Sequence, residues 1–159
     1  MKCFFRKLKS FFCPAHTCCG KCCRRSSQAK LDIGLSAAEK KILHSLDAKI
    51  VVGKIHSIEA HPDPKVTKVR VTQTEIAPGV MEQVLCGAKN IEVGQIVPVA
   101  TVGAKLSEDF EIGARKIRGV ESKGMICAKD ELGLPKETEG IWVLPATAEK
   151  LLGKSLKDL

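Results

Sequence analysis

The stretch KVRVTQTEI, Lys68–Ile76, sets the architecture of this 159-residue chain. Val69 and Val71 alternate with Lys68, Arg70 and Thr72, the period-two pattern of a strand with one dry face and one wet face. Runs of the same kind flank it: KIVVGKIHSIE (Lys49–Glu59) before it, then EQVLCGA (Glu82–Ala88), QIVPVATVGA (Gln95–Ala104) and FEIGARKIRG (Phe110–Gly119) after it. Five or so short strands rich in Val, Ile and Thr, with glycine between them, predict an all-β domain closed into a small barrel. Gly53, Gly103, Gly113 and Gly119 are expected at its bulges and corners.

Working outward, Ser36 and Glu39 stand three apart ahead of Ile42, Leu43 and Leu46 on one helical face. This is the signature of a capping box opening a short helix that covers one end of the barrel. At the other end, Leu151, Leu152 and Leu156 predict a terminal helix. The expected organisation is a tail over 1–30 that does not pack on the barrel, a linker with a short helix over 31–48, and the barrel domain over 49–159.

Charge and cysteine divide the chain at the same place. Eight of the 26 Lys and Arg residues lie within the first 31 residues, which hold no acid, so the remaining 18 face all 18 Asp and Glu. The body is formally neutral, and a basic surface on it has to be local, with acids segregated elsewhere. Six of the eight cysteines fall in the first 23 residues. Cys86 and Cys127, each in an apolar run, are expected as small core residues.

Catalytic patterns fail on their spacing. GVESKG places Gly119 three residues before Ser122, where a nucleophile elbow requires two, and no histidine follows His61. GKS at Gly153–Ser155 lacks the first glycine of a phosphate loop, since Ala148 holds that position. His44, His56 and His61 have no ligand spacing and are expected on the surface or at strand ends. The chain is read as a binding module and not an enzyme, with no cofactor expected in its body.

Four segments carry a specific resemblance: VVGKIHSIEAHPDP, QVLCGAKNI, GQIVPVATVGA and KIRGVESKGMICAKDELGL. In order, and from about Lys49 to the C-terminus, they resemble the tRNA-binding domain near the N-terminus of the bacterial phenylalanyl-tRNA synthetase β subunit, which also occurs in free-standing tRNA-binding proteins. The resemblance implies an OB-fold, a five-stranded Greek-key barrel with short flanking helices. It implies a cytoplasmic, non-catalytic protein whose partner is tRNA. Some free-standing relatives are homodimers, and a synthetase partner is left open. Lys68, Arg70, Lys89, Asn90, Arg115, Arg118, Ser122 and Lys123 are the candidate RNA contacts, with the two glycines of the RGVESKGM segment letting backbone approach the ligand. After the tail the chain has no aromatic residue but Phe110 and Trp142. Recognition of folded tRNA by shape and backbone is therefore expected, in place of stacking on unpaired bases. The alternative is a protein-docking or chaperone-like use of the same barrel.

Three readings of the tail stay open. It is a disordered basic arm that adds attraction to RNA. Or the amphipathic MKCFFRKLKSFF and the cysteines after it, once acylated, hold a membrane surface. Or Cys13, His16, Cys19 and Cys22, at regular spacing, bind zinc.

Overall fold

The computed structural model describes residues 34–107, 109–137 and 139–159. The tail expectations, zinc at Cys13, His16, Cys19 and Cys22 included, lie outside them.

Helix α1 (Ala37–Ser45) starts as its residues dictate: the Ser36 side chain accepts the Glu39 N–H, and the Glu39 carboxylate accepts the Ser36 N–H at 2.7 Å. Leu43 on its inner face is buried. The sheet then runs through β1 (Ile50–Ala60), β2 (Arg70–Ala77), β3 (Val80–Cys86) and β4 (Ile96–Thr101). Two short hairpins follow, β5 (Lys105–Ser107) with β6 (Phe110–Glu111) and β7 (Arg115–Ile117) with β8 (Val120–Ser122), before β9 (Gly124–Ile126) re-enters the main sheet. Strand order is β3-β2-β1-β4-β9, all neighbours antiparallel. A meander of three strands with the fourth returned beside the first is the Greek-key arrangement, and the five strands curl into a nearly closed barrel of the OB type.

Strand β1 is long enough to serve two partners. Its first half, from Ile50, pairs with β4 and its second half, to Ala60, pairs with β2. The register slips between Ile55 and Ser57, so the bulge falls at His56 and not at Gly53. Five strands with antiparallel neighbours cannot close antiparallel all round, so the seam strands β3 and β9 run the same way. Their closure is irregular. Lys123 N–H donates to the Gln83 carbonyl at 2.9 Å, Gln83 Nε2 donates to the Glu121 carbonyl at 2.6 Å, and Leu85 N–H donates to the Ser122 hydroxyl at 3.0 Å.

The core has two parts. Inside the barrel pack Ile55, Val84, Val97, Val99 and Ile126, with Thr72 hydrogen-bonded to the Val84 carbonyl at 2.8 Å. Beneath α1 pack Leu43, Ile50, Val52, Trp142, Leu144 and Leu156. The expected terminal α-helix is instead two 3-10 turns, Ala146–Leu151 and Leu156–Asp158. Between them Val52 N–H donates to the Lys154 carbonyl at 3.0 Å and Gly153 N–H to the Val52 carbonyl at 2.9 Å. Pairing with the β1 backbone outcompetes a continuous helix.

Candidate nucleic-acid interface

One end of the barrel gathers the loop after β1, the start of β2, the loop after β3 and the turn of the β7–β8 hairpin. Side chains bind these segments together. His61 Nδ1 accepts the Asp63 N–H at 3.0 Å, while its Nε2 lies 3.1 Å from the Ile117 carbonyl oxygen in β7. Asp63 folds the loop further, its carboxylate accepting the Lys65 N–H and its carbonyl the Val66 N–H, both at 2.9 Å. Arg70 donates through Nη2 to the Ala88 and Lys89 carbonyls at 3.3 and 3.2 Å, which holds the 87–90 loop against the start of β2.

The cations expected at the interface divide on this geometry. Lys68, Lys89, Arg115 and Arg118 are exposed, as are Lys65 and Lys116 beside them. None of these six is in an ion pair among the described residues. Several acids of the body are paired elsewhere: Glu149 with Lys54, Glu137 with Lys129, Asp130 with Lys136. Lys123 is half-exposed and sits 3.4 Å from Glu82. An exposed pair of this kind is worth only about 0–1 kcal/mol, so the ammonium group is free to take a phosphate. Arg70 is half-buried, with part of its guanidinium committed to the loop carbonyls.

Two expected contacts are placed differently. Ser122 is only 6% exposed; its hydroxyl accepts from Leu85 and donates to the Gly124 carbonyl at 2.9 Å, so it closes the barrel seam and does not face solvent. Asn90 brackets Ile141, with Oδ1 accepting its N–H and Nδ2 donating to its carbonyl, each at 3.0 Å. Gly124 is also explained without a ligand: a Cβ there would stand 2.8 Å from the Ala100 carbonyl oxygen, so β9 packs on β4 only with glycine.

The hairpin turn is the strained element. Arg118 and Gly119 both have positive φ, 46° and 91°, between paired Ile117 and Val120. A two-residue turn with both φ angles positive is type I′, in which asparagine or aspartate usually precedes glycine. Arg118 is the only described non-glycine residue in that region.

His61 stands at a strand end, directly after Ala60 of β1, but it is not on the surface. It is 6% exposed, and no spacing signal marked it, because its partners are a loop amide and a carbonyl 56 residues away. The aromatic inventory shrinks further. Trp142 is buried in the core with Lys129 Nζ 5.5 Å from its ring centre, and Phe110 lies beneath the Arg115 guanidinium at 6.0 Å. Cys86 and Cys127 are buried; burial pushes the Cys86 thiol up and the Cys127 thiol to about 12, so neither is a thiolate nucleophile near neutral pH. No cluster of metal-ligating side chains occurs among the described residues.

The profile of the family described as "Putative tRNA binding domain" matches residues 50–151. The phenylalanine–tRNA ligase beta subunit of Wolinella succinogenes is 46% identical over 130 residues, 80% of this chain and 16% of the relative. That of Chlorobaculum tepidum is 45% identical over 107 residues, 65% of this chain and 13% of the relative. The Neisseria meningitidis subunit is 38% identical over 116 residues, 72% and 14% respectively. The chain thus matches less than a fifth of the length of each of these relatives.

Proposed function

From the chain's membership of the tRNA-binding domain family, shown by the match over residues 50–151, we propose that it binds folded tRNA through phosphate contacts and shape, without catalysis of its own. The observation that carries this reading is a set of exposed cations without an ion pair among the described residues, Lys65, Lys68, Lys89, Arg115, Lys116 and Arg118, on segments that His61 and Arg70 brace to one another in a formally neutral barrel. Lys123, at the seam, is a further cation. The mode follows from what the surface lacks. Each base stacked on an aromatic side chain contributes ~1–3 kcal/mol in OB-folds that hold single strands. Here Phe110, 40% exposed and beneath Arg115, is the only exposed aromatic among the described residues. Cations on a rigid frame suit phosphates at fixed spacing, as a folded RNA presents them.

Ser122 and Asn90 are left out of this interface, since their polar atoms are engaged in the fold. The relatives' role as synthetase subunits makes a synthetase a partner to test, and tRNA for phenylalanine the first species to compare with bulk tRNA. Affinity for bulk tRNA over a salt series tests the central reading. Log affinity should fall linearly with log salt, with a slope set by the number of phosphates neutralised. Absence of tRNA binding at low salt would overturn it and leave the protein-docking use of the barrel.

A further inference from the structure

The hydrogen bonds of His61 fix its tautomer. Nδ1 accepts a backbone N–H and must carry a lone pair; Nε2 faces a carbonyl oxygen and must carry the proton. The neutral ring therefore joins two segments that differ in origin. On one side it anchors Asp63, whose carboxylate and carbonyl fold the loop bearing Lys65 and Lys68. On the other it holds the Ile117 carbonyl, the last residue of β7 before the Arg118–Gly119 turn. The hairpin has three residue pairs and β7 is exposed throughout, so its own ladder does not set where the turn points.

We infer that His61 is a positioning residue for RNA binding: its ring locks the Lys65–Lys68 loop and the Arg118 turn into one phosphate-binding surface of fixed spacing. The inference rests on the tRNA-binding reading above. A polyanion with phosphates at set intervals binds more tightly to cations already held at matching intervals, because less motion is lost on binding. Arg118, held at positive φ on a short exposed arm, gains most from such a brace.

The test is a double-mutant cycle in the full chain, with His61→Phe, Arg118→Ala and the pair, reading the tRNA dissociation constant at one salt concentration. Melting temperature is followed in parallel. His61→Phe removes both hydrogen bonds and should weaken binding about five- to tenfold, with much less effect once Arg118 is already alanine. His61→Gln keeps a donor for the Ile117 carbonyl and should recover part of the loss. A purely structural histidine would lower the melting temperature while its effect on affinity stayed the same in both backgrounds; that additivity overturns the inference. So does a wild-type chain that binds tRNA while Arg118→Ala binds as tightly, although the tRNA reading then survives. If His61→Phe does not fold, His61→Gln carries the same cycle with a smaller expected coupling. Failure of the wild-type chain to bind tRNA removes the reading and the inference together.

Discussion

Arg118 sets a backbone preference against a surface one. A non-glycine residue in the left-handed region costs roughly 1–2 kcal/mol, and asparagine tolerates it better than arginine. Arg118→Asn should therefore stabilise the fold by about 1 kcal/mol in urea denaturation while weakening tRNA binding and lowering the salt slope by about one phosphate contact. A variant that gained stability with an unchanged slope would remove Arg118 from the interface. Cys127 makes a separate prediction. Burial holds its thiol protonated to about pH 12, whereas the unfolded chain releases that proton near the ordinary value of 9.0. Between those values the folded state binds more protons than the unfolded one, so stability falls as pH rises through that window and is unaffected below it. Urea midpoints measured at pH values of about 8 and 10.5 should therefore drop less steeply for Cys127→Ala than for the wild-type chain. At this scale the sequence was legible where one signal sufficed: Cys86 and Cys127 lie in apolar runs and are buried as expected. It was silent where a polar side chain satisfies distant backbone. Ser122 and Asn90 were expected to face a ligand, and nothing near them in the chain announces their hydrogen bonds to Leu85 and Ile141, 37 and 51 residues away.

Among the elements, local signals and long-range ones gave different results. The Ser36–Glu39 capping box and the alternation around Val69 and Val71 depend on neighbours in the chain: the helix formed where its residues indicated, whereas β2 starts only at Arg70 and turns the face expected to be wet inward, with Thr72 and Thr74 fully buried and hydrogen-bonded to each other. The C-terminal segment depends on β1. Its leucine spacing suits a helix, yet Gly153 and Lys154 pair with Val52 and split the segment into two 3-10 turns. The bulge at His56 had no glycine to announce it either. The seam between β3 and β9 is the element most exposed to a single change, since one of its few hydrogen bonds runs through the Ser122 hydroxyl. Ser122→Ala leaves the Leu85 N–H without its acceptor at a site closed to water, a loss of about 1–3 kcal/mol. The urea midpoint should fall accordingly while the salt slope for tRNA binding stays that of the wild type. A lowered slope would instead place the serine hydroxyl against RNA.

For the whole molecule, the question is whether the strongly basic N-terminal segment adds to what the neutral barrel binds. The first 31 residues hold eight cations and no acid, while the cations of the rim stand on a frame fixed by His61, Asp63 and Arg70. Charges on a long unstructured arm attract any phosphate at low salt but impose no spacing. Charges on a frame reward a ligand of the right shape. Three uses of the tail, as an RNA-attracting arm, a membrane anchor or a zinc site, predict different behaviour of a chain lacking residues 1–30. Under the arm reading it binds tRNA more weakly with a shallower salt slope, and its preference for folded tRNA over an unstructured RNA of equal length rises, because the frame alone then selects. Under the anchor reading tRNA binding is unchanged and association with anionic vesicles is lost. Under the zinc reading the full chain carries stoichiometric metal that Cys19→Ser abolishes. In each case the barrel should melt as it does in the full chain, since among the described residues the side chains of both clusters, from Leu35 onward, already bury one another. A truncated chain with a clearly lowered melting temperature would show that the tail packs on the barrel, and the division of labour between arm and frame would have to be abandoned.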